Sequence, residues 1–176
     1  MKKILAIGAS NSSTSINKVF ATYIANQIQN VEPTVLEWDD MVLPLYSADL
    51  ERESGVHENA RKFKQLVEEA DAIVISLAEH NGLPTAAFKN LWDWTSRITQ
   101  KFWANKPIFL AATSPGGRGA KNALRIVKDM MPHFAGEVIA DFSLPQFHQN
   151  FQEGDITDAE LKQDLLNKIK HFEQTI

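Results

Sequence analysis

Two hydrophobic periods alternate along the chain. Lys3-Ile4-Leu5-Ala6-Ile7 is a short apolar run and reads as a buried strand. Ala72-Ile73-Val74-Ile75-Ser76-Leu77 has the pattern of a strand covered on both faces. Pro107 opens another, Ile108–Thr113, and runs at Thr34–Trp38 and Val138–Phe142 complete a set of five. Between them apolar residues return every three or four positions. Val19, Phe20, Tyr23, Ile24 and Ile28 mark one helix; Ala60, Phe63, Leu66, Val67 and Ala70 mark a second. Phe88, Leu91, Trp92 and Thr95 mark a third, Ala123, Leu124 and Val127 a fourth, and Leu161, Leu165, Ile169 and Phe172 a fifth. Residues 39–55 read as irregular, and 143–151 as a loop.

Strands alternating with helices imply a parallel sheet with helices on both faces. In such sheets ligands bind at the carboxyl ends of the strands, where strand order reverses. The turns after the first, third and fourth strands carry the most polar chemistry, and these ends meet at the reversal of a sheet of order 2-1-3-4-5. The helix over 87–98 carries Lys89, Asp93 and Arg97 at four-residue spacing, so both neighbouring pairs can form. Three tryptophans between Trp92 and Trp103 predict core and subunit interface.

Composition narrows the function. The 176 residues suit one domain spanning 1–176, with 44% hydrophobic residues. A net charge of −4 and a pI near 5.7 argue against nucleic acid as a partner. There is no cysteine, which excludes disulfides, thiolate catalysis and a low-molecular-weight tyrosine phosphatase. No run is long enough to span a membrane, and the apolar start is too short for a signal peptide, so a cytoplasmic location is expected. Asp39 and Asp40 read as a solvated pair, and no metal site is expected.

The first polar turn, Gly8-Ala9-Ser10-Asn11-Ser12-Ser13-Thr14-Ser15-Ile16-Asn17, holds seven Ser, Thr or Asn residues between Ser10 and Asn17. Such residues are good helix caps, but one cap uses only one of them. Free N–H groups at a helix start, with added hydroxyls, also suit a phosphate. No Gly-Lys-Ser/Thr ends the turn, so it is not a Walker loop, and Gly8 alone does not make the dinucleotide fingerprint. The nearest cation is Lys18. The second turn is Ala78-Glu79-His80-Asn81-Gly82-Leu83-Pro84, and the third is Thr113-Ser114-Pro115-Gly116-Gly117-Arg118-Gly119.

Taken together, the three turns resemble the NADPH-dependent FMN reductase family of flavodoxin-like proteins, which includes quinone, chromate and azo reductases. In the first motif Ser10, Ser15 and Asn17 match, while Ala9 replaces a glycine and Ser12 an arginine. In the second, Glu79 and Asn81 match and His80 replaces a tyrosine; Phe88-Lys89-Asn90-Leu91-Trp92-Asp93-Trp94-Thr95-Ser96-Arg97 is an almost complete match. The third motif matches well.

The resemblance implies a flavodoxin-like three-layer sandwich binding FMN, with NADPH or NADH as co-substrate. It implies that Ser10, Ser12, Ser15, Ile16 and Asn17 hold the phosphate end. Glu79, His80, Asn81 and Gly82 would lie along one side of the flavin ring, and Thr113, Ser114, Gly116 and Gly117 beside the other edge. The expected activity is hydride transfer from NAD(P)H through FMN to a quinone, azo compound, metal oxyanion or free flavin. Backbone N–H groups of Ser114–Gly117, with the following helix dipole, are expected to favour negative charge on the reduced ring. Arg118 can add to this or bind the nucleotide's phosphates. His80 is the one candidate for a catalytic side chain: it can stack on the flavin or substrate, donate a proton to a quinone, or only hydrogen-bond within its loop. A homodimer or homotetramer is implied, with the tryptophan-rich helix and residues 39–55 as its surface. An electron carrier and a flavin-free binding protein remain as alternatives.

Overall fold

The computed structural model describes residues 1–176. Its sheet contains strands β1 (Lys2–Ala9), β2 (Val31–Val35), β3 (Ala72–Leu77), β4 (Lys106–Thr113) and β5 (Gly136–Leu144). All pairings are parallel, in the order β2-β1-β3-β4-β5. Crossovers run through helices α1 (Ile16–Gln27), α2 (Ala48–Ser54), α3 (Glu58–Glu69), α4 (Ala86–Ser96) and α5 (Lys121–Met130), followed by α6 (Phe147–Asn150) and α7 (Ala159–Glu173).

The two faces of the sheet sort by strict alternation. Leu5, Ile7, Ile73, Ile75, Ile108 and Leu110 point to one face, under Phe63 of α3, Phe88 and Trp92 of α4 and Val127 of α5. Ile4, Ala6, Val74, Phe109 and Phe142 point to the other, under Phe20 and Ile24 of α1 and Leu165 and Phe172 of α7. Side chains of adjacent strand residues must face oppositely, so an all-apolar strand requires a helix layer on each side. Fully burying each large aliphatic side chain stabilises the fold by about 1.5–3 kcal/mol.

Several expected elements are placed differently. The second strand is Val31–Val35 rather than 34–38, with Lys2 opposite Val31 and Ala6 opposite Val35. It is an edge strand with Glu32, Pro33 and Thr34 exposed, so its composition does not advertise it. Trp38 opens a short 3₁₀ turn instead, and its indole donates to the Gly8 carbonyl at 2.6 Å. Residues 48–54 form α2, where Ser47 Oγ accepts from Leu50 N, although none of its side chains is buried. The region 143–151 finishes β5, then makes the single turn α6 and the first strand of a hairpin, Phe151–Gln152 with Asp155–Ile156.

The tryptophans are core, not surface. Trp92, Trp94 and Trp103 are at most 4% exposed. Lys89 pairs with Asp93, but Arg97 turns away from Asp93 to the Glu51 carboxylate, at 3.0 and 3.2 Å. Glu51 also accepts from the Tyr46 hydroxyl, and these bonds hold its carboxyl below the ordinary range. Asn90 and Trp94 donate to the Pro44 carbonyl at 3.0 and 2.8 Å, so residues 42–51 are strapped onto α4.

Candidate functional site

At the carboxyl ends of β1, β3 and β4 the three polar turns close around a cleft of about 280 Å³. Ser10, Ser12, Ser15, Ile16, Asn17, Glu79, His80, Thr113 and Ser114 all line it. Asn81 and Gly82 form the adjoining hairpin tip, and Gly116 and Gly117 continue the third turn beyond Pro115. Thr14, Ala78 and Pro115 line the cleft as well.

The first turn spends much of its polar chemistry on the fold. Ser15 caps α1, its Oγ accepting from Lys18 N at 3.1 Å. The Asn17 side chain is buried and bridges two strand ends. Its Oδ1 accepts from Ser76 Oγ at 2.7 Å and Thr113 N at 3.3 Å, and its Nδ2 donates to the Thr113 carbonyl at 3.2 Å. Asn17 can therefore serve an anion through its backbone N–H, not its side chain. The N–H groups of Ile16 and Asn17, in the first turn of α1, have no intramolecular acceptor. Ser12 and Thr14 expose their hydroxyls, 3.3 Å apart. Gly8 is required by close packing, since a Cβ there would lie 2.3 Å from Lys18 N.

The second turn is a two-residue hairpin. Glu79 pairs with Pro84 and His80 with Leu83, and Asn81 and Gly82 take φ of 54° and 81°. Asn-Gly is the preferred sequence for such a turn because both central residues need positive φ. His80 is exposed at the cleft. Glu79 turns the other way: its Oε2 accepts from Asn122 N and Ala123 N, both at 3.0 Å, and so caps α5. The residue at the α5 cap position, Ala120, offers no side-chain acceptor and has φ of 58°. Two N–H groups of the α5 N-terminus are thus already met by a carboxylate.

The third turn presents its backbone. The carbonyls of Ser114 and Gly116 accept from Phe147 N and Gln146 N at 3.0 Å each, while the N–H groups of Ser114, Gly116 and Gly117 have no intramolecular acceptor. A Cβ at Gly117 would meet nothing within 4 Å, and one at Gly116 only Ser114 Oγ at 3.9 Å. The fold itself does not need glycine at either position; the open space beside them suits close approach by a flat ring. Thr113 is buried and donates its hydroxyl to the Leu144 carbonyl at 2.7 Å.

Neither lysine nor arginine lines the cleft. Lys18 pairs with Glu37 at 2.6 Å, and Arg118 donates to Asn122 Oδ1 at 3.1 Å. A phosphate at the first turn would be held by N–H dipoles and hydroxyls, and the donor set present there fits one. His148 lies on α6 against Phe147 and does not line the cleft. Two supporting residues escaped the sequence reading. Ser76 is the lone polar residue in an apolar strand, and Thr85 both caps α4 and donates to the Ala9 carbonyl at 2.9 Å. Each left a signal: a hydroxyl inside a buried run, and a threonine just before a helical period.

The profile of one protein family, described as NADPH-dependent FMN reductase, matches residues 2–149. The chain belongs to this family. It is 26% identical over 149 residues to a quinone reductase of Escherichia coli K12, covering 77% of this chain and 79% of that protein. It is 33% identical over 129 residues to an NADPH:quinone oxidoreductase of Arabidopsis thaliana, covering 70% and 64%. Among solved structures it superposes on the flavoenzyme NAD(P)H:(acceptor) oxidoreductase FerB of Paracoccus denitrificans with a TM-score of 0.78. That pair is 25% identical, over 99% of this chain and 96% of the other. Family membership makes the chain a flavodoxin-like, FMN-dependent NAD(P)H oxidoreductase.

Proposed function

We propose that this reductase uses the three-turn cleft to pass hydride from NAD(P)H, by way of FMN, to a small quinone-type oxidant. The observation that carries the reading is the meeting of unpartnered N–H groups from the first and third turns in one cleft. FMN supplies the hydride chemistry, so the protein needs no nucleophile or general base of its own. The N–H groups of Ile16 and Asn17, with the hydroxyls of Ser12 and Thr14, bind the phosphate. The N–H groups of Ser114, Gly116 and Gly117 would hold the ring end of FMN and favour negative charge on it. The hairpin carrying His80 and Asn81 walls the other side. His80, exposed at the cleft, is the side chain that would hand a proton to the oxidant. With no cation in the wall, the cleft favours an uncharged acceptor over an anionic one. The relatives named as quinone reductases support the same class.

We further propose a cytoplasmic homo-oligomer. Val42 and Leu45 are 68% and 81% exposed, beside an apolar groove lined by Met41, Leu43 and Ala87. A contiguous exposed apolar surface of this kind marks an association face. A monomer by light scattering overturns that part.

The deciding experiment is an anaerobic visible spectrum of the FMN-loaded protein before and after NADPH. Bleaching of the flavin band within seconds is expected. A band that persists with both NADPH and NADH favours an electron carrier, and a chain that takes up no FMN overturns the reading.

A further inference from the structure

The α5 N-terminus abuts the third turn, and helix dipoles place roughly half a positive charge at such ends. The chain around Ala120 cannot cap it locally. The cap comes instead from Glu79, across 43 residues of sequence, through two 3.0 Å bonds to Asn122 N and Ala123 N. A full negative charge therefore meets about half a positive one at this helix end. Glu79 forms no ion pair of its own. Arg118 is exposed and bonded to the Asn122 side chain.

We propose that Glu79 is a positioning residue that ties the second turn to the start of α5, directly after the third turn, and lowers the reduction potential of flavin held in the cleft. This rests on the reading of the cleft as the FMN site. Glu79 lines that cleft with its carboxylate turned back onto the α5 N-terminus, and two-electron reduction adds negative charge to the ring. A fixed anion in the same wall disfavours the reduced form relative to the oxidised one. The unpartnered N–H groups of the third turn act in the opposite direction, so the two determine the potential between them. A lower potential leaves the reduced flavin a stronger hydride donor to the oxidant.

The test is the two-electron midpoint potential of bound FMN in the wild type and in Glu79→Gln. The substitution keeps an acceptor oxygen for the cap and removes the charge. Reduced FMN should then bind about tenfold more tightly relative to oxidised FMN, a positive shift of about 30 mV. A shift of the opposite sign, or none in a variant that still folds and holds FMN, overturns the proposal. A wild type that holds no FMN fails the functional reading instead. Amide exchange in the flavin-free wild type checks the cap without any variant: Asn122 and Ala123 should be protected, and free exchange at both overturns the contact on which the proposal stands.

Discussion

The first and third turns face the same cleft but are built in opposite ways. The first turn is rich in side chains and uses them up. Ser15 closes α1, and Asn17 ties β3 to β4. What remains for a ligand is backbone N–H and two exposed hydroxyls. The third turn has few side chains and is shaped from outside. Gln146 and Phe147 hold its carbonyls, and Glu79 holds the helix that follows. Its binding capacity is almost wholly backbone. A polar cluster in sequence is thus not a direct map of ligand contacts: a buried amide serves first the groups that would otherwise go unpaired.

The contrast is broken most severely at Asn17. Asn17→Ala leaves the Ser76 hydroxyl and the Thr113 N–H buried without a partner, at about 1–3 kcal/mol each. We expect a stability loss of about 3 kcal/mol in the flavin-free protein, read from the urea midpoint. A loss below about 1 kcal/mol would mean the bridge is not structural. Gly117→Ala probes the opposite case. No protein atom lies within 4 Å of the added Cβ, so stability should stay within about 0.5 kcal/mol. FMN affinity should fall about tenfold, or about 1.4 kcal/mol, by fluorescence titration. Unchanged affinity would remove the third turn from the flavin site.

The smallest effect concerns the tie between α1, the 151–156 hairpin and α7. Tyr23 donates to Asp155 Oδ1 at 2.6 Å, and Lys162 pairs with the other oxygen. The lysine, then the tyrosine, hold the Asp155 carboxyl down at about 2, and burial with the same hydrogen bond pushes the Tyr23 phenol up. An unfolded aspartate titrates near 3.9, so this contribution to stability is complete above about pH 5 and is lost as pH falls toward 2. In Asp155→Asn the gap to wild type should therefore be constant above pH 5 and narrow below pH 4, in thermal midpoints taken across that range. A gap independent of pH would show that the carboxylate is not held by these partners.

The pattern of the chain was sufficient for the five-strand alternation, the parallel sheet and the three turns that meet at its reversal. Strands apolar on both sides and helices of 3.6-residue period have no other economical way to bury their faces. The motif residues point to the same three turns. What the pattern could not reach lies where composition and role part company. Val31–Val35 is a strand because β1 needs a partner, not because it is apolar. Residues 48–54 are helical with no buried side chain, and 147–150 because the third turn needs donors behind it. Glu79 is expected along one side of the flavin ring, and its carboxylate serves as the cap of a helix that begins 42 residues later, at Lys121. Local periodicity records which side of an element is wet. The pairing of one distant donor with one distant acceptor leaves no periodic trace, and only the folded chain decides it.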